Sequence, residues 1–263
     1  MGAGCSRGGK GQSVSRFGDA TEERGGEDDH YEAASFEDAM EKLFPQSFEA
    51  QDWLDTTQVI LGTRGFTKEN SLACVSVCRD FLALRLVQQV NDTWGGAVNG
   101  SSIAGFLALG KTGLSTLLSN APPGYDRDRY VFIAMPHLAI SASGTLGSPE
   151  GLLGRFRKEL EKGKVELAED PLDSEYCAAK QKLLQKHNFG PVPSLATLTK
   201  TAAVIAEETL EELIFGTKGE GGVYKGGVVP TETADVTVLV GVQVRCVPVH
   251  LQPPPPAMRS PPE

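Results

Sequence analysis

The sequence has few cysteines, no long hydrophobic run and no cluster of basic residues, and each absence excludes a class of protein. Its five cysteines are odd in number and widely scattered, without the spacing of a disulfide framework, so we expect a reducing compartment. No apolar stretch reaches the roughly 18 residues that span a bilayer. The net charge is −9 and no basic patch interleaved with aromatic residues occurs, which argues against nucleic acid as a partner.

What is present predicts one α/β domain between two unstructured ends. Hydrophobic residues make up 40% of the 263 residues, enough for one well-filled core. Residues 1–33 are charged and poor in apolar side chains, and residues 251–263 are rich in proline, so neither end is expected to fold. Residues 34–250 are predicted to form a mainly parallel sheet covered by helices.

Apolar spacing and capping residues predict the main elements of this domain. We expect helices at 35–44 with Ser35 as N-cap, at 81–94, and at 194–215 with Ser194 as N-cap. β-branched residues predict one last strand at 234–246. A helix at 173–187 is predicted to place some side chains inward (Ala178, Leu183, Leu184) and others outward (Lys180, Lys182, Lys186).

Two predicted buried strands end in residues that carry chemistry. Residues 71–80 read SLACVSVCRD, an apolar run that ends at Cys78, Arg79 and Asp80. In the second strand, at 130–135, Pro136 interrupts pairing and presents His137. Ligands of open α/β sheets bind beyond the carboxyl ends of the strands, and a thiolate and an imidazole are zinc ligands. The alternative is that both side chains are structural.

The amino terminus matches an acylation signal. Met1-Gly2-Ala3-Gly4-Cys5-Ser6 places Gly2 for N-myristoylation and Cys5 for palmitoylation, and two acyl chains together hold a protein on a membrane. We therefore expect a cytoplasmic protein attached peripherally to a membrane. A plastid transit peptide is the alternative, although the acidic run TEERGGEDDHYE is unlike one.

A GxxxxGK[ST] pattern spans residues 105–112 and matches the phosphate-binding loop of nucleotide hydrolases. That loop works as an open nest of backbone amides. Here the intervening residues are Phe106, Leu107, Ala108 and Leu109, which favour burial. A nucleotide-binding enzyme is kept as the remote alternative.

Taken together, these segments resemble the limiting-CO2-inducible B/C family of algae, which is grouped with the β-type carbonic anhydrases. The resemblance rests on GFTKENSLACVSVCRD, WGGAVNGSSIAGFLALGKTG, RYVFIAMPHLAI and KQKLLQKHNFGPVPSLATLTK. These segments occur in the order of the family and cover about residues 65–244.

The resemblance implies a β-carbonic-anhydrase-like fold and a zinc enzyme that interconverts CO2 and bicarbonate. Cys78 and His137 match two of the family's zinc ligands, and Arg79 and Asp80 match its dyad. Zinc would lower the pKa of bound water, and the resulting hydroxide would attack CO2. Asp80, kept ionised by Arg79, would orient the zinc-bound oxygen. The resemblance also implies a homodimer or a family heteromer.

One zinc ligand of the family is missing. Its second cysteine lies in a loop before a helix, whereas the matching segment here reads GTLGSPEGLLGRFRKEL and contains no cysteine. Alignment of the helix puts Glu150 at that place, and a carboxylate can ligate zinc. Cys74 and Cys246 are two further substitutes. Without a replacement, the chain would be a catalytically degenerate relative that binds or scaffolds in inorganic-carbon handling.

Overall fold

The computed structural model describes residues 12–14, 33–79, 83–100, 110–147, 151–165, 167, 174–186, 191–218, 224–230 and 232–247. The helices within these ranges are α1 (Phe36–Leu43), α2 (Ala50–Gly62), α3 (Leu84–Trp94), α4 (Gly110–Leu118), α5 (Leu152–Glu161), α6 (Ser174–Lys186) and α7 (Leu195–Phe215). The strands are β1 (Gln12–Val14), β2 (Leu72–Val77), β3 (Ala97–Asn99), β4 (Asp128–Met135), β5 (His137–Ser141), β6 (Gly216–Lys218), β7 (Tyr224–Gly226), β8 (Ala234–Val240) and β9 (Gln243–Val247).

A five-stranded parallel sheet forms the centre of the fold, in the order β1-β8-β4-β2-β3. Strand β5 pairs in parallel with β9, and β6 pairs antiparallel with β7. Because consecutive parallel strands need a crossover connection, at least one helix lies between each two successive strands of the central sheet along the chain. The predicted α/β class with a mainly parallel sheet is confirmed.

Helices cover both faces of the central sheet. One face carries Cys74, Phe132 and Val238 and packs against α4 and α7. The opposite face carries Val75 and Ile133 and packs against α2 and α3. All six residues of β2 are buried, as expected for a central strand with both faces covered, and all of its side chains except Ser76 are apolar.

Two helix starts were predicted from single capping residues. The Ser35 hydroxyl accepts a hydrogen bond from the Asp38 amide at 3.2 Å and caps α1. The Ser194 hydroxyl accepts one from the Thr197 amide at 3.1 Å and caps α7. Both bonds satisfy amides that have no partner inside their helix, so both predictions are confirmed.

The prediction of a single last strand at 234–246 is wrong, because this segment forms two strands that belong to two different sheets. Strand β8 follows β4 until Ala134 pairs with Val240, and the Gly241 amide then donates to the Ala134 carbonyl at 3.1 Å. Pro136 has no amide hydrogen and cannot continue the ladder of the central sheet. The chain turns there, the Gln243 amide donates to the Pro136 carbonyl at 2.8 Å, and β9 pairs with β5 instead.

Three further elements differ from the sequence predictions. Helix α2 lies in a stretch for which no element was predicted, and it buries Leu54, Thr57 and Leu61 along one face. Strand β1 lies within the predicted leader and pairs with β8. In α6 the predictions of an outward Lys180 and an inward Ala178 are wrong. Lys180 is 3% exposed and forms an ion pair with Glu159, whereas Ala178 is exposed.

Candidate metal centre at the carboxyl edge of the sheet

Cys78 comes directly after β2, at the carboxyl edge of the central sheet. It is half-buried, whereas Arg79 beside it is exposed. The apolar run of β2 ends at Val77, so the thiol stands where the covered core gives way to the edge. Asp80, the other member of the predicted dyad, lies outside the described residues.

His137 stands at the same edge, two residues beyond the end of β4 and at the start of β5. Val77 and Met135 form the last paired row of β2 and β4, and Cys78 and His137 follow that row by one and two residues. Strands β2 and β4 are parallel, so their carboxyl ends meet at one edge of the sheet. His137 is half-buried and is the first residue of β5. Cys78 and His137 therefore both lie at the carboxyl edge of the central sheet.

Cys74 lies too far from Cys78 to share a metal ion with it. Cys74 pairs with Phe132 and is four residues before Cys78, about 13 Å along a strand at about 3.3 Å per residue. The donors around one zinc ion lie about 4 Å apart, since each bond is only 2.0–2.3 Å. Burial raises the pKa of the Cys74 thiol to about 12, which opposes the thiolate that a metal needs.

Cys246 lies on the face of β9 that points away from His137, so the two side chains cannot share a metal ion. It pairs with Ile140, three residues beyond the row that joins His137 to Gln243. Side chains alternate along a strand, so Cys246 and His137 lie on opposite faces of the β5–β9 pair. Within the described part of the chain, no three histidine, cysteine, aspartate or glutamate side chains form a metal-binding group. Glu150, the remaining substitute, lies outside the described residues.

Gln243 and Arg245 lie on β9, beside the strand that begins with His137. Gln243 is 8% exposed and stands opposite His137 in the β5–β9 pair. With its amide oxygen facing Arg245, it accepts hydrogen bonds from Nε and Nη2 at 2.9 Å each. Burial lowers the pKa of the Arg245 guanidinium, and the positive charge of Arg85 on α3 lowers it further.

Gln243, Arg245 and Arg85 were not predicted from the sequence as site residues. Arg85 and Arg245 are 160 positions apart in the printed chain, and neither belongs to a recognisable motif. Gln243 and Arg245 lie near His137 because β9 pairs with β5 and does not extend the central sheet. Because the sequence predicted one strand at 234–246, it did not predict the pairing of β9 with β5.

The lysine of the GxxxxGK[ST] pattern has a structural partner. Lys111 Nζ donates to the Gly226 carbonyl at 2.7 Å and so links α4 to the β6–β7 hairpin. Residues 105–109, which include the four apolar positions of the pattern, lie outside the described residues. Gly2 and Cys5, the predicted acylation sites, lie outside them as well.

Sequence comparison matches residues 47–152 to the family model of the limiting CO2-inducible proteins B/C beta carbonic anhydrases. No curated protein matches the sequence.

Among solved structures, the crystal structure of limiting CO2-inducible protein LCIB is 29% identical, with a TM-score of 0.62 over 78% of this chain and 86% of that one. The structure of PtLCIB4, a homolog of LCIB, is 18% identical, with a TM-score of 0.60 over 81% of this chain and 89% of that one. The second likeness concerns the fold alone. The predicted resemblance is confirmed in sequence and in fold.

Proposed function

We propose that this chain, related to the limiting-CO2-inducible B/C proteins by its sequence and its fold, is a zinc-dependent protein that interconverts CO2 and bicarbonate. The observation that carries the proposal is the pairing of Val77 with Met135. It places Cys78, which follows the end of β2, and His137, which follows the end of β4, at one edge of the sheet. A soft thiolate and an imidazole are a donor set that zinc prefers.

In this proposal Cys78 and His137 hold the metal, and Glu150 is the third protein ligand. Zinc, when bound with one open position, lowers the pKa of a bound water to about 7. Arg79 follows Cys78 directly, and its charge favours the ionised form of the neighbouring Asp80. An ionised Asp80 can accept a hydrogen bond and so hold a proton-bearing group in one orientation.

The alternative function is a binding or scaffold protein that uses the same fold without catalysis. It is favoured by the absence of a three-donor group among the described residues and by the positions of Cys74 and Cys246. If Glu150 contributes no ligand, only two protein donors remain, fewer than the three of a catalytic zinc site.

Zinc content and CO2 hydration, measured on the same preparation of the full chain, separate the two functions. We expect about one zinc per chain by mass spectrometry and CO2 hydration by stopped flow. Both should be lost in C78S and in E150Q, while the far-UV circular dichroism stays unchanged. A folded, zinc-free and inactive wild-type chain would refute the enzyme and leave the binding protein.

The nucleotide alternative has a separate test. The apolar filling of the GxxxxGK[ST] pattern and the bond from Lys111 to Gly226 both oppose it. A fluorescent ATP analogue with Mg²⁺ should therefore not bind the full chain. Saturable binding of the ATP analogue that is lost in K111A would support nucleotide binding.

We further propose that the chain is acylated at Gly2 and Cys5 and is attached peripherally to a membrane from the cytoplasmic side. The support is the MGAGCS sequence, which supplies both signals that stable anchoring needs. G2A should move the protein to the soluble fraction, and G2A that stays on membranes would contradict acylation. A plastid location is the competing outcome, which imaging of the full chain would reveal.

None of the helices described here is both long and apolar enough to cross a membrane.

A homodimer is proposed from the family resemblance, and sedimentation of the full chain tests it.

A further inference from the structure

Strand β9 has one edge that faces no other strand. On its inner side the Gln243 amide donates to the Pro136 carbonyl, and the parallel register pairs β9 with β5. Backbone groups of successive residues point to opposite sides of a strand, so the amides and carbonyls of Val244 and Cys246 point away from β5. Among the described residues, β9 pairs with no strand except β5, and neither Val244 nor Cys246 has a backbone partner on the outer side.

Nothing blocks this outer edge of β9. The outer edge of β5 is covered, because the Gly147 amide donates to the Ala139 carbonyl at 2.6 Å and the Ser141 amide donates to the Thr145 carbonyl at 2.9 Å. Strand β9 reads QVRCV and contains neither the proline nor the lysine that commonly protects edge strands. Val244 is half-buried and packs on the apolar cluster beneath α1. A strand added at this edge would therefore gain main-chain hydrogen bonds and cover apolar surface.

The sequence of β9 restricts how it can pair with the same strand of a second copy. Three antiparallel registers place both Val244 and Cys246 opposite residues 242–248 of that copy. The register centred on Arg245 puts two like charges directly opposite each other, which destabilises a strand pair. The register centred on Cys246 puts Val244 opposite Pro248, which has no amide hydrogen to donate.

The third register, centred on Val244, is self-complementary. It places Val244 opposite its own counterpart and Val242 opposite Cys246, so apolar side chains and a thiol meet on the face that packs on α1. On the other face Gln243 stands opposite Arg245, a neutral amide opposite a guanidinium. No like charges are directly opposite each other, and the outward amides and carbonyls of both strands are paired.

We propose that β9 pairs antiparallel with β9 of a second copy, in the register centred on Val244, and that this strand pair is the homodimer interface. Such an interface is isologous, because a two-fold axis relates the two identical strands. The choice of a second copy as the partner rests on the homodimer proposed above. The location and the register follow from β9 itself.

Sedimentation of the full chain tests the location of the interface. We expect wild type at twice the mass of the 28.0 kDa chain and V244P at the single mass. Proline removes the outward amide at the centre of the interface, and an edge strand tolerates it where the amide points away from the sheet. V244T keeps the amide and the branched shape, so it should remain a dimer. If V244P does not fold, C246P at the exposed Cys246 decides.

Disulfide formation tests the register. In V244C/C246S the single cysteine of β9 lies on the two-fold axis, where paired Cα atoms are about 5.5 Å apart, within reach of a disulfide. We expect a covalent dimer on a non-reducing gel after oxidation. In wild type the two Cys246 residues lie about 13 Å apart along the strands, so no bond should form between them. C246S without the added cysteine controls for the other thiols.

The outcomes separate this interface from the homodimer itself. A monomeric wild type would refute both. A wild-type dimer that persists in folded V244P and is not cross-linked in V244C/C246S would retain the homodimer and overturn the β9 interface. A bond between the two Cys246 residues of wild type would overturn the register centred on Val244.

Discussion

Cys246 lies opposite Ile140 in the parallel β5–β9 pair, three residues beyond the row that joins His137 to Gln243. Its side chain therefore points to the face of this pair opposite His137. Cys74 lies within β2, four positions before Cys78, and is buried in the core. These two relationships remove both cysteines from the set of substitutes for the missing zinc ligand.

The first prediction follows from these positions. C246S and C74V should keep the zinc content of the wild-type chain, because neither thiol can reach an ion held by Cys78 and His137. H137A should lose most of the zinc, because one donor of the set is gone. Metal analysis of the purified full-length variants checks this. Loss of zinc in C246S with zinc retained in H137A would show that the metal lies elsewhere.

The second prediction concerns the buried lysine of α6. Lys180 is 3% exposed, and Glu159 on α5 lies 3.1 Å from its ammonium and also accepts from the Tyr176 hydroxyl at 3.0 Å. E159Q removes the charge that offsets the buried ammonium and should lower the free energy of unfolding by about 1–3 kcal/mol. Urea denaturation measures this.

A matched control lies on the same helix. Glu161 pairs with Arg157 at 3.4 Å, and both side chains are close to half exposed. E161Q should change the free energy of unfolding by less than about 0.5 kcal/mol, since exposed pairs contribute little. Equal effects of E159Q and E161Q would contradict a special role for the buried pair.

The third prediction concerns Gly216, where α7 meets the β6–β7 hairpin. Its φ is +91°, and an added Cβ would lie 2.0 Å from the Lys225 carbonyl oxygen. Backbone atoms of the hairpin would have to move, so G216A should lower the free energy of unfolding by more than about 2 kcal/mol. At Gly163 φ is +66° and nothing lies within 4 Å. G163A should therefore cost only about 1 kcal/mol of conformational strain. Similar urea midpoints for the two variants would argue against the contact with Lys225.

The fourth prediction is a loss of stability at alkaline pH. Burial raises the pKa of the Cys74 thiol from 9.0 to about 12. From about pH 9 the unfolded chain releases this proton while the folded chain keeps it, so stability falls as the pH rises toward 12. The slope for one group is at most about 1.4 kcal/mol per pH unit. Burial also raises the pKa of Tyr130, which adds to the loss.

C74V removes the contribution of this thiol. Its free energy of unfolding should fall less steeply than that of wild type between pH 9 and 11. In the native chain near pH 8, iodoacetamide should modify the exposed Cys246 and leave Cys74 unmodified. An unchanged slope in C74V, together with rapid labelling of Cys74, would disprove the assignment of a buried, protonated thiol.

Several features of the fold depend on short-range chemistry and could be predicted from the sequence. Ser35 and Ser194 cap amides three residues away in the chain, so the capping pattern alone located two helix starts. The apolar run of β2 predicted a central strand, and Pro136 predicted an interruption before His137. The placement of Cys78 and His137 at one edge follows from the parallel direction of two such strands.

Other features depend on contacts between distant parts of the chain, and only the tertiary structure decided them. The sequence by itself specified two helix starts, the central strand β2, the two candidate ligands at the ends of their strands and the missing third ligand. The tertiary structure decided that β9 pairs with β5, that Lys180 is buried against Glu159, and that Gln243 lies opposite His137. The physical reason is that local hydrogen bonds and side-chain periodicity act over a few residues. The partner of a strand or of a buried charge is set by the packing of the whole core.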